Sequence, residues 1–389
     1  MKASRRGRVP PFIVMDVMRD AAALEAAGRK IIHLEVGQPS TGIPRVAAAR
    51  LAPLIERDAL GYTVADGTMV LRERIARHYF ETYGATVAPS QIFVTTGSSA
   101  GFLLSFLSAF DAGERVALAA PGYPAYRHIL SSLDVEPVLI PTGADTRFQV
   151  SVAHLDAMRQ DRGGLPDGLI VASPANPTGT MIPEDEFRSL VAYCHEHDIR
   201  LISDEIYHGI TFGPRAVTAA GLSPSVIVIN SFSKYFSMTG WRVGWAVVPD
   251  DLYRSMECLA QNHFISPPTL SQWGALYAFD GMEELNANVE RYARNRLTLL
   301  EALPKLGFAD LAPADGAFYI YADISRFKED AATFCRRVLH DAGVAITPGI
   351  DFDPYRGDKF VRFSFAVSEK DVAEALVRLG ELGLPSNRD

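Results

Sequence analysis

An α/β fold is what this sequence predicts: a large domain with a mostly parallel seven-stranded sheet flanked by helices, plus a smaller α+β domain formed by the N- and C-terminal segments. Two observations carry the prediction. Short apolar runs alternate with helix-patterned stretches from Ala88 to Pro249, the rhythm of strands joined by covering helices. In addition, 389 residues are too many for one small core, so more than one lobe is expected.

The elements follow in order. Residues 1–20 read as an arm, basic at Arg5, Arg6 and Arg8 and then apolar, that packs on another surface. A helix over 16–27 ends at Gly28, a fitting C-cap. A strand-like run, 31–36, stops at Gly37-Gln38-Pro39. Seven strands are then predicted at 92–95, 115–119, 136–140, 169–173, 200–203, 226–229 and 245–248; such apolar runs suit strands buried on both faces. A long helix over 283–303 connects to a C-terminal lobe, 304–389, with strands near 318–321 and 361–365.

Bulk properties exclude several function classes. A hydrophobic content of 48% and a charged content of 22% are ordinary for a globular enzyme. The net charge of −8 argues against nucleic acid as a partner. Cys194, Cys258 and Cys335 are widely spaced and odd in number, so no disulfide framework is expected and a reducing cytoplasm is the simpler home. No signal peptide is expected, and no run approaches the roughly 18 apolar residues of a membrane span.

Ligands of parallel sheets bind at the carboxyl ends of the strands, and the chemistry-bearing residues cluster there. Lys234, in Ser231-Phe232-Ser233-Lys234, falls just past the strand 226–229. A lysine beside the core loses hydration, which disfavours its ammonium form and makes the amine a better nucleophile toward a carbonyl. Arg242, in Gly240-Trp241-Arg242-Val243-Gly244, offers a fixed charge shaped to grip a phosphate. A potential Schiff-base lysine followed by a phosphate-gripping arginine suggests pyridoxal phosphate.

Other motifs have two readings each. Asp204, with Tyr207 three residues on, fits an acidic loop or a carboxylate pairing with a protonated ring nitrogen. Glu205 beside it is expected to face solvent. Asn176-Pro177-Thr178-Gly179 fits a plain turn or an amide held against a ligand oxygen. Gly97-Ser98-Ser99-Ala100-Gly101 fits a helix start that cradles phosphate, and equally the Gly-x-Ser-x-Gly elbow of hydrolases. Tyr123 is a turn tyrosine or a ring-stacking one, and Tyr62 an ordinary helix-to-loop residue. Arg362 alternates with apolar neighbours, a pattern in which an arginine usually faces solvent, although a guanidinium there could clamp a carboxylate. In Cys194-His195-Glu196-His197 the two histidines are i and i+2 on a helix and point apart, so no metal site is expected.

Taken together, and in this order along nearly the whole chain, these residues resemble the class I and II aminotransferases of fold type I. The resemblance implies pyridoxal 5′-phosphate as cofactor and L-amino acid and 2-oxo acid as substrates. It also implies a homodimer with shared active sites. It divides the chain into an arm (1–20), a small domain (21–48 with 286–389) and a large cofactor-binding domain (49–285). Residue by residue, Lys234 becomes the Schiff-base lysine and proton shuttle, and Asp204 the partner of the pyridine nitrogen. Asn176 and Tyr207 become partners of the phenolic oxygen, and Tyr123 the stacking ring. The phosphate falls to Ser98, Ser99, Ala100, Ser231 and Arg242, with Tyr62 reaching in from the other subunit. Arg362, assisted by Asn176 and the backbone at Gly37, becomes the clamp on the substrate α-carboxylate.

Two rivals stand beside this reading. A carbon–sulfur β-lyase or related lyase would reuse the same residues. A serine acyl-transfer enzyme would use Ser98, or Ser231-x-x-Lys234, but no Lys-Thr-Gly and no His-Gly-Gly loop accompanies either. The absence of a lysine beside Ser98 leans the donor toward neutral or aromatic amino acids, with 2-oxoglutarate or pyruvate as acceptor. Arg127 or His128 could still meet an acidic group.

Overall fold

A computed structural model describes residues 2–161 and 163–384; the last five residues of the expected small domain, 385–389, and Met1 of the arm lie outside them. Strand β1 is Ile32–His33; β2 to β8 are Ile92–Thr95, Arg115–Ala120, Glu136–Pro141, Gly168–Ala172, Arg200–Asp204, Ile227–Ser231 and Gly244–Val247. Strands β9 to β12 are Tyr319–Asp323, Val344–Ala345, Thr347–Pro348 and Phe360–Ser364.

The seven predicted strands form one sheet in the order β2-β8-β7-β6-β5-β3-β4. All run parallel except β8, which is antiparallel to both of its neighbours. Helices Gly97–Ala109, Pro124–Ser132, Val152–Gln160 and Glu184–Glu196 make crossovers between successive parallel strands. Between β7 and β8 the chain has only residues 232–243, with no helix long enough to return it to the same edge, so β8 comes back antiparallel. That short return sets Lys234 and Arg242 at the carboxyl ends of the parallel strands.

Two apolar layers cover the sheet. One holds Val94, Leu169, Val171, Leu201, Val228 and Trp245; the other holds Phe93, Val116, Leu118, Ile170, Ile202 and Ile229. Odd and even positions of each strand therefore both find a core, as the continuous apolar runs require. The edge strand β4 is half-exposed and carries Pro137 and Pro141, residues that only an edge tolerates well.

A second, antiparallel sheet has the order β11-β12-β9, and β1 pairs in parallel with β10. Helix Met282–Ala302 crosses from the large sheet's side to this one, packing against Glu369–Glu381. The expected strand 31–36 is shortened to β1, because the chain passes between two partners: Leu34 N–H bonds Ala345 and Leu34 C=O accepts from Ser364. The N-terminal helix begins earlier than its sequence pattern suggests, at Ile13, and runs to Ala26.

Candidate active site

The loops at the carboxyl ends of β2, β3, β5, β6 and β7 meet the small sheet at one cavity. It is lined by Ser98, Ser99, Tyr123, Asn176, Asp204, Tyr207, Lys234, Arg242 and Arg362, together with Gly37. Residues far apart in sequence are thus brought together as expected.

Lys234 is partly buried and its Nζ donates to the Gly37 carbonyl at 2.6 Å. Burial, then the charges of Arg362 and Arg242, push its pKa down to about 8, against the pull of Asp204. Roughly a tenth of its amine is therefore free at pH 7, far more than for an ordinary lysine.

Arg242 sits in the left-handed region at φ 50° and bonds only its own turn, Nη1 to Thr239 C=O at 3.0 Å; among the described residues it has no carboxylate partner. Its guanidinium lies over Gly97, which has φ +74° and begins the helix Gly97–Ala109. A Cβ at Gly97 would overlap the guanidinium, so glycine is required both by the backbone and by the close approach. Unbonded N–H groups of a helix start and a free guanidinium then face one small space, which suits a phosphate.

Asp204 ends β6, buried. Its Oδ1 accepts from Ile206 N–H at 3.0 Å and its Oδ2 from the Tyr126 hydroxyl. Burial pushes its pKa up to about 6, opposed by Tyr126, Ile206 N–H and Lys234. A buried carboxylate without an ion-pair partner among the described residues is poised to receive a cationic N–H. Tyr207 shares a hydrogen bond of 2.8 Å with Tyr319, whose hydroxyl occupies the space a side chain on Gly37 would need. Tyr123 lies edge-on to Tyr126 and to Phe12, leaving a ring face to the cavity side.

Arg362, in the centre of β12, is only 2% exposed. Its Nη1 donates to Asn176 Oδ1 at 2.8 Å, and its Nη2 to Glu35 C=O and to Thr347 Oγ1 at 3.2 Å. The guanidinium lies over the rings of Tyr319 (4.4 Å) and Phe352 (4.7 Å), and its Nε has no partner. A buried charge with an unbonded donor and no carboxylate among the described residues is costly unless an anion completes it.

Several expectations are corrected. Arg362 does not face solvent, because β12 is the middle strand and aromatic rings cover it. Glu205 is also buried, at 1% exposed, since the chain folds back so that Ala219 N–H and Thr218 Oγ1 bond its carboxylate at 2.7 and 2.8 Å. Its pKa is pushed up to about 8 by burial. Arg127 and His128 are not among the lining residues; Arg127 Nη2 instead holds the Asp351 carbonyl at 2.7 Å.

Three assigned residues lie off the cavity wall. Ser231 is buried and donates to Ser233 Oγ at 2.9 Å, and it is Ser233 that lines the cavity. Ala100 is buried one residue further into its helix, and Tyr62 stands 83% exposed. Sequence reasoning missed Tyr126, Tyr319 and the arm residues Phe12, Val14 and Met15. Tyr126 was within reach, one helical turn beyond Tyr123; the others carry no local signal.

The residues fit pyridoxal phosphate. The Gly97 cradle under Arg242 could take its phosphate, buried Asp204 its ring nitrogen and the Lys234 amine its aldehyde, while the unpartnered Arg362 Nε would be left for a substrate carboxylate. Among the described residues no histidine lines the cavity, so Ser98 has no serine–histidine pair there.

Comparison with known proteins agrees. Residues 29–379 match the family model described as aminotransferase class I and II. The chain is 48% identical over 392 residues, 99% of each chain, to the valine–pyruvate aminotransferase of Mycobacterium tuberculosis. It is 32% identical, covering 95% of this chain and 96% of the relative, to a (5-formylfuran-3-yl)methyl phosphate transaminase of Methanocaldococcus jannaschii. A crystal structure of an aminotransferase from M. tuberculosis superposes with a TM-score of 0.94 at 48% identity, over 98% of this chain and 99% of that one. Among the described residues no helix is long and apolar enough to cross a membrane. The chain belongs to the class I and II aminotransferases, pyridoxal-phosphate-dependent enzymes that move an amino group between an amino acid and a 2-oxo acid.

Proposed function

We propose that this aminotransferase uses a neutral, apolar L-amino acid as donor and a small 2-oxo acid such as pyruvate as acceptor. One observation carries the reading. The three cations lining the cavity, Lys234, Arg242 and Arg362, each have a task, and the remaining wall of Phe12, Val14, Met15, Val36 and Tyr123 offers a second carboxylate nothing to pair with. Burying an unpaired carboxylate there would be strongly unfavourable. The similarity to a valine–pyruvate aminotransferase supports the same reading.

The geometry supports one role for each residue. Arg242, Ser98, Ser99 and the start of helix Gly97–Ala109 hold the phosphate, with Ser231 acting through Ser233. Asp204 keeps the ring nitrogen protonated, Asn176 and Tyr207 orient the phenolic oxygen, and Tyr123 covers a ring face. The bound cofactor supplies an electron sink for charge that develops at the substrate α-carbon. Arg362 fixes the α-carboxylate and so aligns the α-hydrogen with Lys234. Lys234 Nζ takes that proton and returns it, a step worth roughly 10² to 10⁴ in rate.

We also infer a cytoplasmic homodimer in which Tyr62 completes the partner's phosphate site. Tyr62, Val64, Met69 and Ile265 are all more than half exposed on one chain, and their segment is tied to residues 267–272 by Gln272 and Thr269. The expected division into 49–285 and 21–48 with 286–389 is supported by the separate sheets. Sedimentation as a monomer would refute the shared site.

A donor screen with the purified holoenzyme tests the substrate reading. Valine or leucine should lead with pyruvate as acceptor, and alanine should be tested with 2-oxobutyrate because alanine and pyruvate only regenerate each other; strong preference for aspartate would overturn it.

A further inference from the structure

The arm that walls the cavity is not anchored by its own sequence. Helix Ile13–Ala26 follows Phe12, whose side chain cannot cap it. The first N–H groups of a helix need acceptors, and here they find one 338 residues away. Ile13 N–H donates to Asp351 Oδ1 and Val14 N–H to Asp351 Oδ2, both at 3.3 Å. Asp351 is 1% exposed, and an anion at a helix start is stabilised by the helix dipole.

The same short segment touches the rest of the substrate side. Asp351 C=O accepts from Arg127; the Phe352 ring lies 4.7 Å from the Arg362 guanidinium; and Phe352 C=O accepts from Gly122 N–H at 3.0 Å, next to Tyr123. Phe12 in turn meets Tyr123 edge-on at 5.8 Å. The carboxylate clamp, the ring-covering loop and the side-chain wall therefore share one hub; the wall alone is hydrogen-bonded to the Asp351 carboxylate, which Arg362 and Arg127 feel only through their charge.

We propose that Asp351 is a positioning residue that pins Phe12, Val14 and Met15 as the side-chain wall and thereby sets discrimination among donors by side-chain size. The inference rests on the apolar-donor reading above. Without the carboxylate, two helix-start N–H groups lose their acceptors and the wall loses its fixed distance from the cavity. A donor whose side chain reaches the wall then loses contacts that alanine never made. The α-carboxylate keeps its clamp, because Arg362 is held by Asn176, Glu35 and Thr347.

The test compares Asp351→Ala and Asp351→Asn holoenzymes with the unaltered protein, using valine and alanine as donors, both with 2-oxobutyrate as acceptor. A hydrophobic pocket discriminates by roughly tenfold or more for each methylene, so the valine-to-alanine ratio of kcat/KM should fall about tenfold in Asp351→Ala. Asp351→Asn keeps one acceptor and should fall between. The resting cofactor spectrum should not change, and hydrogen exchange at Ile13 and Val14 should speed up. An unchanged ratio with faster exchange would overturn the proposal, as would equal losses for both donors. If Asp351→Ala does not fold, an unchanged ratio and exchange in Asp351→Asn would overturn it. An unaltered enzyme that prefers aspartate would defeat the donor reading instead, and exchange at Ile13 and Val14 would then decide whether Asp351 anchors the arm.

Discussion

Two arginines frame this site, and they are built in opposite ways. Arg242 lies on the twelve-residue return between neighbouring strands β7 and β8, exposed, bonded only to its own turn, over the glycine that opens the adjacent helix. Arg362 is buried in another sheet, between two aromatic rings, and is gripped by residues 15 to 327 positions away. On the roles proposed above, the first is a local device for a ligand that stays, and the second is assembled by the whole fold for a ligand that comes and goes. A resident phosphate needs charge and N–H groups in water's reach, whereas discrimination among substrates needs a desolvated, rigid clamp.

Lys234, between the two, is shared by both tasks, and its loss should have the largest effect. Lys234→Ala is expected to lower turnover by at least 10² to 10⁴ and to abolish the visible absorbance of the lysine-linked cofactor. A variant that kept both would break the assignment. Arg362→Ala should raise KM for amino and oxo acids alike on the order of a hundredfold, the loss of the charge-assisted hydrogen bond that its unpartnered Nε offers. Arg242→Ala should do the reverse, weakening cofactor binding while KM for the amino acid, measured at saturating cofactor, moves little.

A smaller effect sharpens the cofactor side. Tyr126→Phe removes a hydroxyl donor to Asp204 Oδ2, so burial should drive that carboxyl further up from about 6. The ring nitrogen would be less firmly protonated, and kcat should fall several-fold with a shifted pH dependence of the cofactor spectrum; an unchanged spectrum would remove Tyr126 from the account. The last effect is in pH and concerns cofactor capture, not turnover. Lys234 is depressed from 10.5 to about 8, so its amine is mostly protonated below that pH and free above it. Capture of pyridoxal phosphate by cofactor-free protein should therefore quicken about tenfold from pH 7 to 9, following the free-amine fraction; a rise only above pH 10 would contradict the depression.

The contrast between the arginines also explains what could be read from the sequence. The inner large-sheet strands were legible because strands buried on both faces are continuously apolar, and the half-exposed edge strand β4 was legible from its Val138-Leu139-Ile140 run. Lys234, Arg242, Gly97 and Asp204 were legible because each sits within a few residues of a strand end. Arg362 carried an ambiguous local pattern, since alternation with apolar neighbours does not reveal that β12 is a central strand with rings on its polar face. Glu205 misled for the same reason: its acceptors' partners, Thr218 and Ala219, return from a loop whose path has no local signature. The Asp351 anchor of the arm lies furthest from any sequence signal, at a separation of 338 residues.

The division of labour between the two arginines is tested most directly in Arg362→Ala holoenzyme, by recording the resting cofactor spectrum and the KM for the amino donor in the same preparation. The account predicts an unchanged spectrum and a KM raised about a hundredfold. A disturbed resting spectrum with KM little altered would contradict it, and would make Arg362 a support of the cofactor site instead of the clamp on the substrate.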